Sequence, residues 1–130
     1  MSQSEMFFGK DLFAGVNEVC DPRNPSGLER RHIPEVHIPD TVRVGEPFAV
    51  EIEVGRELPH PSDEDHRIHA FEVFADQTLL ARLDLEIGQA SPRATVWVTL
   101  SAPAKELLVH SHCNRHGAWM ARMALNVVDA

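Results

Sequence analysis

The sequence predicts an all-β fold, an immunoglobulin-like seven-stranded β-sandwich with an irregular N-terminal arm. Two observations lead to this prediction. From about residue 35 onward, apolar and polar residues alternate with a period of two, which is typical of strands that bury one face. Residues that favour turns separate the alternating stretches. The chain has 130 residues, the length of one ordinary domain, so a single core must support the function.

Seven stretches carry the strand pattern. The first contains Pro39, which indicates a bent or edge strand because proline lacks the N–H that a central strand donates. The second is regular, with Phe48, Val50 and Ile52 on one face, and it follows turn residues at 45–47. The later stretches repeat this alternation. In chain order the expected strands are 36–44, 48–54, 68–74, 79–87, 94–100, 107–113 and 119–127.

The first 31 residues lack the alternation. We expect residues 1–31 to form an arm and residues 32–130 to form the sandwich domain. Residues 1–10 show no pattern of an export signal, and no apolar run approaches the ~20 residues that a membrane helix needs. The sequence therefore predicts a cytoplasmic protein that does not cross a membrane.

Charge and cysteine content exclude some classes of protein. The chain carries 12 Lys and Arg against 20 Asp and Glu, a formal net charge of −8, whereas nucleic-acid binding relies on clustered positive charge. Cys20 and Cys113 are too few and too far apart for a disulfide framework. We therefore expect a protein that does not bind nucleic acid and that has a reduced thiol available as a metal ligand.

Eight histidines are present, and several lie beside turns. His60 and His66 flank a polar, proline-containing loop, and His32 lies where the arm meets the sandwich. Cys113 and His116 form a Cys-x-x-His pair between two expected strands. A sandwich gathers its loops at its ends, so these side chains can meet there. Neutral imidazole and thiolate are transition-metal ligands.

The number of these donors favours iron. Four imidazoles and one thiolate exceed the four ligands of a closed tetrahedral zinc site, and carboxylates dominate calcium and magnesium sites. Four nitrogens in a plane with an axial thiolate leave a sixth position open, and the thiolate pushes electron density onto the metal. Such a centre can bind a small oxygen species and give it an electron.

The motifs around these residues resemble those of superoxide reductases of the neelaredoxin and desulfoferrodoxin type. The matching segments are ELPHP at 57–61 and CNRHGAW at 113–119, with His66 between them, and the resemblance runs from about residue 30 to the C-terminus. It implies an immunoglobulin-like domain with one iron ion held by four equatorial histidines and an axial cysteine. By motif matching, the metal ligands would be His32, His60, His66, Cys113 and His116.

The segment leading into the domain departs from the family pattern Glu-Lys-His-Val-Pro. Arg31 stands in place of the lysine that attracts superoxide, so the positive charge and the steering role are kept. Arg30 replaces the glutamate that can occupy the sixth position of ferric iron, and Glu29 stands one residue earlier, so the sixth ligand stays open. No Cys-x-x-Cys segment precedes the domain, which implies the one-iron type.

The resemblance also implies a reaction and partners. Ferrous iron would reduce superoxide by one electron to hydrogen peroxide without forming dioxygen. An external one-electron donor, such as a rubredoxin-like protein, would restore the ferrous state. One-iron relatives assemble into dimers or tetramers, and we expect a homo-oligomer.

A blue-copper-like electron carrier is the main alternative, because Cys113, His116 and Met120 also resemble the ligands of that class. It leaves the pair His60 and His66 without a shared purpose. A metal-free interaction module is a third interpretation, in which the placement of histidine and cysteine is coincidence.

Other candidate residues receive structural interpretations. His110 and His112 alternate with the cysteine side of their strand, so we expect them to face away from Cys113 and to be exposed, with an adventitious second metal site as the alternative. We expect Trp97 to pack in the core and Trp119 to shield the metal site. Cys20 is expected to stay free.

Overall fold

The computed structural model describes residue 13, residues 15–86 and residues 88–128. The first twelve residues and residue 14 of the predicted arm, and Ile87 at the end of a predicted strand, lie outside the described residues. The described part contains one short helix, α1, and nine strand segments. Their bounds are α1 Gly27–His32, β1 Glu35–His37, β2 Val42–Arg43, β3 Phe48–Glu53, β4 Ile68–Ala75, β5 Thr78–Asp84, β6 Arg93–Val98, β7 Glu106–Cys113, β8 Gly117–Ala124 and β9 Val127–Val128.

Two antiparallel sheets form the sandwich. One has the strand order β1-β3-β6 and the other has the order β5-β4-β7-β8, while β2 and β9 form a short parallel pair. Alternate residues of the two sheets face one shared core, which is why the period of two was visible in the sequence. The core includes Phe48, Val50, Ile52 and Val98 from the first sheet and Ile68, Phe71, Val73, Leu107 and Val109 from the second.

The prediction of an all-β sandwich is confirmed, but the count of seven strands is not. Six of the described strands have six residues or more, and β1, β2 and β9 are shorter. The stretch around Pro39 is divided into β1 and β2, and β1 lies at an edge of its sheet, one of the two forms expected from this proline. The expected boundary between arm and domain, after residue 31, falls inside α1, and this division stays a prediction.

Strand register brings the ends of several loops together. Cys113, the last residue of β7, pairs with Ile68 at the start of β4 and with Gly117 at the start of β8. The loop before β4 and the turn between β7 and β8 therefore lie at the same end of the sheet. Gly117 has a φ of +77°, a backbone conformation that a residue without Cβ adopts without strain.

Helix α1 begins with a capping box. The hydroxyl of Ser26 accepts a hydrogen bond from the backbone N–H of Glu29, and the Glu29 carboxylate accepts one from the backbone N–H of Ser26. The helix ends where the N–H of Ile33 donates to the carbonyl of Glu29. His32 lies in the last turn, so the capped helix fixes its position relative to the sandwich.

The core position predicted for Trp97 is wrong. Its side chain is 69% exposed, because it follows Val96 and precedes Val98, which face inward, and so it lies on the outer face of β6. Within the described residues, no helix has the length and apolar character needed to span a membrane.

Candidate metal centre

Three separate parts of the chain bring five metal-ligating side chains to one place. His32 comes from the last turn of α1, His60 and His66 from the loop before β4, and Cys113 and His116 from the turn between β7 and β8. One ligand atom of each lies within 4.8 Å of those of the other four. All five residues that motif matching had selected are therefore neighbours in the structure.

The four imidazoles stand at the corners of a near-square. Neighbouring ring centroids are 4.7 Å apart for His32 and His60, 4.4 Å for His60 and His66, 4.8 Å for His66 and His116, and 4.8 Å for His116 and His32. Across the diagonal, the rings of His32 and His66 are 6.3 Å apart. This arrangement suits four equatorial nitrogen ligands around one ion.

Backbone carbonyls determine the tautomers of the two buried histidines. The Nδ1–H of His32 donates to the carbonyl of Leu28 at 2.7 Å, and the Nδ1–H of His60 donates to the carbonyl of Pro61 at 2.7 Å. A carbonyl only accepts, so in both neutral rings Nε2 carries a lone pair. These two Nε2 atoms lie 3.1 Å apart. Two lone pairs at this distance repel each other unless a cation lies between them.

The other donors close around the same point. His66 Nε2 lies 3.1 Å from His116 Nδ1. The Cys113 Sγ lies 3.4 Å from His60 Nε2 and 3.7 Å from His116 Nδ1, so the sulfur is close to two of the four imidazoles. The geometry thus presents three Nε2 atoms, one Nδ1 atom and one sulfur atom to a shared centre.

His32, His60 and His66 are held in the neutral form that binds metals. Burial, with smaller contributions from the charges of the neighbouring histidines, lowers the pKa of His60 to about 4, against the opposing effect of the hydrogen bond to Pro61. Burial also lowers the pKa values of His32 and His66. Near neutral pH these rings therefore offer lone pairs with little competition from protons.

Hydrogen bonds tie the two ligand loops to each other. The Asn114 side chain accepts from the N–H of Arg67 at 2.8 Å and donates to the carbonyl of Asp65 at 2.9 Å. Arg115 Nε donates to the same Asp65 carbonyl at 2.8 Å. Within the first loop, the Asp63 carboxylate accepts from the N–H of His66 at 2.9 Å. His66 and His116 are therefore positioned by one connected network.

Two residues of the second sheet support His32. The fully buried Ser111 hydroxyl donates to the carbonyl of His32 at 2.6 Å. The ring of Trp119 stacks on the imidazole of His32, with centroids 4.9 Å apart, and its Nε1–H donates to the carbonyl of His116 at 3.0 Å. Trp119 thus packs against the centre, and its shielding role stays a prediction. Ser111 was not identified from the sequence. Its position as a polar residue on the inward face of a strand could have indicated a structural role.

Arg31 and Glu29 have different positions relative to the centre. Arg31 is exposed beside His32, and its positive charge is among the minor causes that lower the pKa of that histidine. Both oxygens of Glu29 are occupied, by the backbone N–H groups of Ser26 at 2.7 Å and Cys20 at 2.9 Å. These bonds lower the pKa of the Glu29 carboxyl and direct it into the helix cap. Glu29 therefore does not reach the metal centre in this structure.

Met120, the third ligand of the blue-copper alternative, lies away from Cys113 and His116. The Met120 sulfur lies 3.2 Å from Nε2 of His110, in the face of the sheet opposite to Trp119. His110 and His112 also face away from Cys113, as predicted, but His110 is buried and His112 half-buried, so their predicted exposure is wrong. Both cysteines are free, which confirms the prediction for Cys20.

Comparison with known proteins gives consistent results. The desulfoferrodoxin family model matches residues 24–122. The superoxide reductase of Pyrococcus horikoshii is 31% identical over 96 residues, covering 65% of this chain and 83% of its own length. The structure of the superoxide reductase (neelaredoxin) of Ignicoccus hospitalis superimposes with a TM-score of 0.75 at 27% identity, covering 92% of this chain and all of that chain. The one-iron superoxide reductase of Giardia intestinalis superimposes with a TM-score of 0.62 at 26% identity, over 74% of this chain and 99% of that chain.

The family model covers well over half of the chain and includes all five clustered side chains. The structural relatives share the same sandwich. The chain therefore belongs to the desulfoferrodoxin family.

Proposed function

We propose that the protein is a superoxide reductase that holds one iron ion per chain on His32, His60, His66, Cys113 and His116. The observation that carries the proposal is the pair of facing Nε2 lone pairs, 3.1 Å apart, within a near-square of imidazoles and beside a sulfur. With both rings neutral, the arrangement is favourable only when a cation occupies the centre.

The donor set suits iron better than zinc or calcium. Five donors converge, whereas a closed zinc site takes four, and the group contains no carboxylate, the ligand that calcium prefers. Ferrous iron bound there would supply one electron to superoxide together with an open coordination position. The overall reaction takes one superoxide, one electron and two protons to one hydrogen peroxide.

The residues around the centre have separate roles. Arg31 attracts the superoxide anion, a local effect that matters because the whole chain has a formal net charge of −8. His116 is exposed and His66 half-buried, so a small anion can approach from their side. Trp119 and the buried His32 and His60 exclude water from the other side.

Partners follow from the reaction. Each turnover consumes an electron, so an external one-electron donor of the rubredoxin-like class must reduce the protein again. We also propose a homo-oligomer, a dimer or a tetramer. The exposed Trp97 on β6, an edge strand of the three-stranded sheet, supports association. A cytoplasmic location stays a prediction from the sequence.

The visible absorption spectrum of iron-loaded protein tests the centre. Chemical oxidation is expected to produce a long-wavelength thiolate-to-iron band that disappears in Cys113→Ser and persists in the matched control Cys20→Ser. An intense blue band with copper and none with iron would instead favour an electron carrier. Binding of neither metal would contradict both assignments.

A product assay tests the reaction itself. With superoxide supplied in pulses to the reduced protein, we expect one hydrogen peroxide for each superoxide consumed and no dioxygen from the protein. Formation of one dioxygen for every two superoxide ions would indicate a dismutase and would refute the proposed activity.

A further inference from the structure

A second cluster of metal-ligating side chains lies on the outer face of the four-stranded sheet. Glu72 is on β4, and His110 and His112 are on the neighbouring β7, where Glu72 pairs directly with His110. One ligand atom of each lies within 4.8 Å of the other two. Cys113 faces the core of the sandwich, so this cluster and the iron centre occupy opposite faces of β7.

A soft donor stands beside the cluster. Met120, on β8, pairs with His110, and its sulfur lies 3.2 Å from the His110 Nε2. Three strands in a row therefore contribute two imidazoles, one carboxylate and one thioether. Two histidines with a glutamate are the protein ligands of one type of zinc site, in which the fourth position is left to another donor.

The surroundings combine a closed side and an open side. His110 is 4% exposed, and its ring packs against those of Phe13, at a centroid distance of 5.0 Å, and Phe74, at 4.9 Å. The side chains of His112 and Glu72 are 25% and 17% exposed, so an ion can enter from their side. Burial lowers the pKa of His110, which favours its neutral, metal-binding form.

The carboxylate is already oriented. Glu72 Oε2 forms an ion pair with Arg82 Nη1 at 3.2 Å, and Glu72 Oε1 contacts His112 Nε2 at 2.5 Å. Arg82 is also paired with Asp84 at 3.2 Å, so its charge is shared between two carboxylates. The oxygen that faces the histidines is therefore held in place for a shared cation.

We propose that Glu72, His110 and His112 form a second metal site, separate from the iron centre, that binds one Zn²⁺ ion. The Met120 sulfur closes the side of the site next to His110. The site is independent of superoxide reduction, because its residues belong to the other face of the sheet.

The test is zinc binding by the iron-loaded protein. After incubation with Zn²⁺ alone and desalting, elemental analysis should find one zinc per chain in addition to the iron. His110→Asn and Glu72→Gln should each weaken zinc binding by at least tenfold, since removal of even an outer-shell partner costs about 10–100-fold in metal affinity. His37→Asn is the matched control, because the His37 side chain is 60% exposed and belongs to neither cluster.

The thiolate-to-iron band and the iron content, measured on the same samples, report whether each variant is folded. Glu72 is only half-buried, so Glu72→Gln remains informative if His110→Asn fails to fold. Absence of a second bound ion in the wild-type protein would overturn the proposal, as would equal zinc affinity in the wild-type, His110→Asn and Glu72→Gln proteins. Displacement of iron by zinc, with no additional ion, would also overturn it.

Discussion

Replacement of Gly55 by alanine should disturb the metal centre through the backbone of His60. Gly55 has a φ of +79°, and a Cβ at this position would lie 2.7 Å from the backbone nitrogen of His60. Ordinary van der Waals contact begins at 3.4 Å, so the two backbones must separate by 0.7 Å. Ligand distances in metal sites tolerate only about ±0.2 Å.

Gly45 provides the matched control for backbone strain. Its φ is +84°, but a Cβ there would meet no atom within 4 Å. Each variant places alanine in a left-handed conformation, which costs roughly 1–2 kcal/mol. Gly45→Ala should therefore lower the free energy of unfolding by about that amount and leave iron binding unchanged. Gly55→Ala should lose more stability and should also bind iron about tenfold more weakly or worse.

The assay combines urea denaturation with an iron titration followed at the thiolate-to-iron band. If Gly55→Ala matches Gly45→Ala in stability and keeps wild-type iron affinity and absorption, the backbone contact does not position His60, and the argument is refuted.

Three further outcomes are expected. Arg31→Ala should slow superoxide capture in stopped-flow measurements and reduce its dependence on salt, whereas Arg31→Lys should restore both the rate and the salt dependence. If Arg31→Ala leaves both unchanged, Arg31 does not attract superoxide to the centre. Ser111→Ala leaves the buried carbonyl of His32 unpaired and should lower the free energy of unfolding in urea by about 1–3 kcal/mol. A loss below about 0.5 kcal/mol would contradict a stabilising role for this hydrogen bond. The metal-free protein should lose stability in thermal melts as pH falls from about 6.5 towards 4. The pKa of His60 is lowered to about 4 in the folded state, so the unfolded chain takes up a proton on this histidine at a higher pH than the folded chain does. Constant stability across this range would contradict the burial of a neutral His60.

The residues of the metal centre could be predicted because they match the motifs of a known family, and four of the five also lie in local pairs. His60 and His66 lie in one loop and Cys113 and His116 in one turn, so short sequence segments already place them in pairs. Their convergence depends on the pairing of Cys113 with Ile68, a long-range register that only the folded sheet provides.

Helix α1 was missed, although the sequence contains its start. Ser26 and Glu29 have the spacing of a capping box, but the helix has only six residues, too few for an apolar period to appear. The same helix explains why Glu29 does not reach the metal centre, since its carboxylate caps the helix and binds the N–H of Cys20.

Two errors concern the direction of side chains on strands. Trp97 was expected to pack in the core, whereas the alternation of its neighbours already placed it on the outer face. Regular alternation was expected along 79–87, which would place Leu79 and Ala81 on one face. However, β4 and β5 shift register after Val73, so that Leu79 pairs with Phe74 and is 50% exposed. An irregularity of this kind reverses the faces beyond it, and alternation alone does not reveal it.

The buried state of His110 depends on the arm. Phe13 lies against the His110 ring, and the backbone of Asn17 bonds to Ala118 and Met120 on β8. The arm carries no strand pattern in the sequence, so the face that it covers was expected to be exposed.

The hydrogen bonds from Asn114 and Arg115 to Asp65 and Arg67 also bear on how easily the centre exchanges electrons. Gain or loss of one electron alters the preferred metal–ligand distances, and the barrier to electron transfer rises with the rearrangement that this requires. Because the two loops are joined by contacts that do not involve the metal, these contacts would hold His66 and His116 in the same relative position when a bound iron ion changes its oxidation state. Loops joined in this way would limit the reorganisation energy of electron transfer.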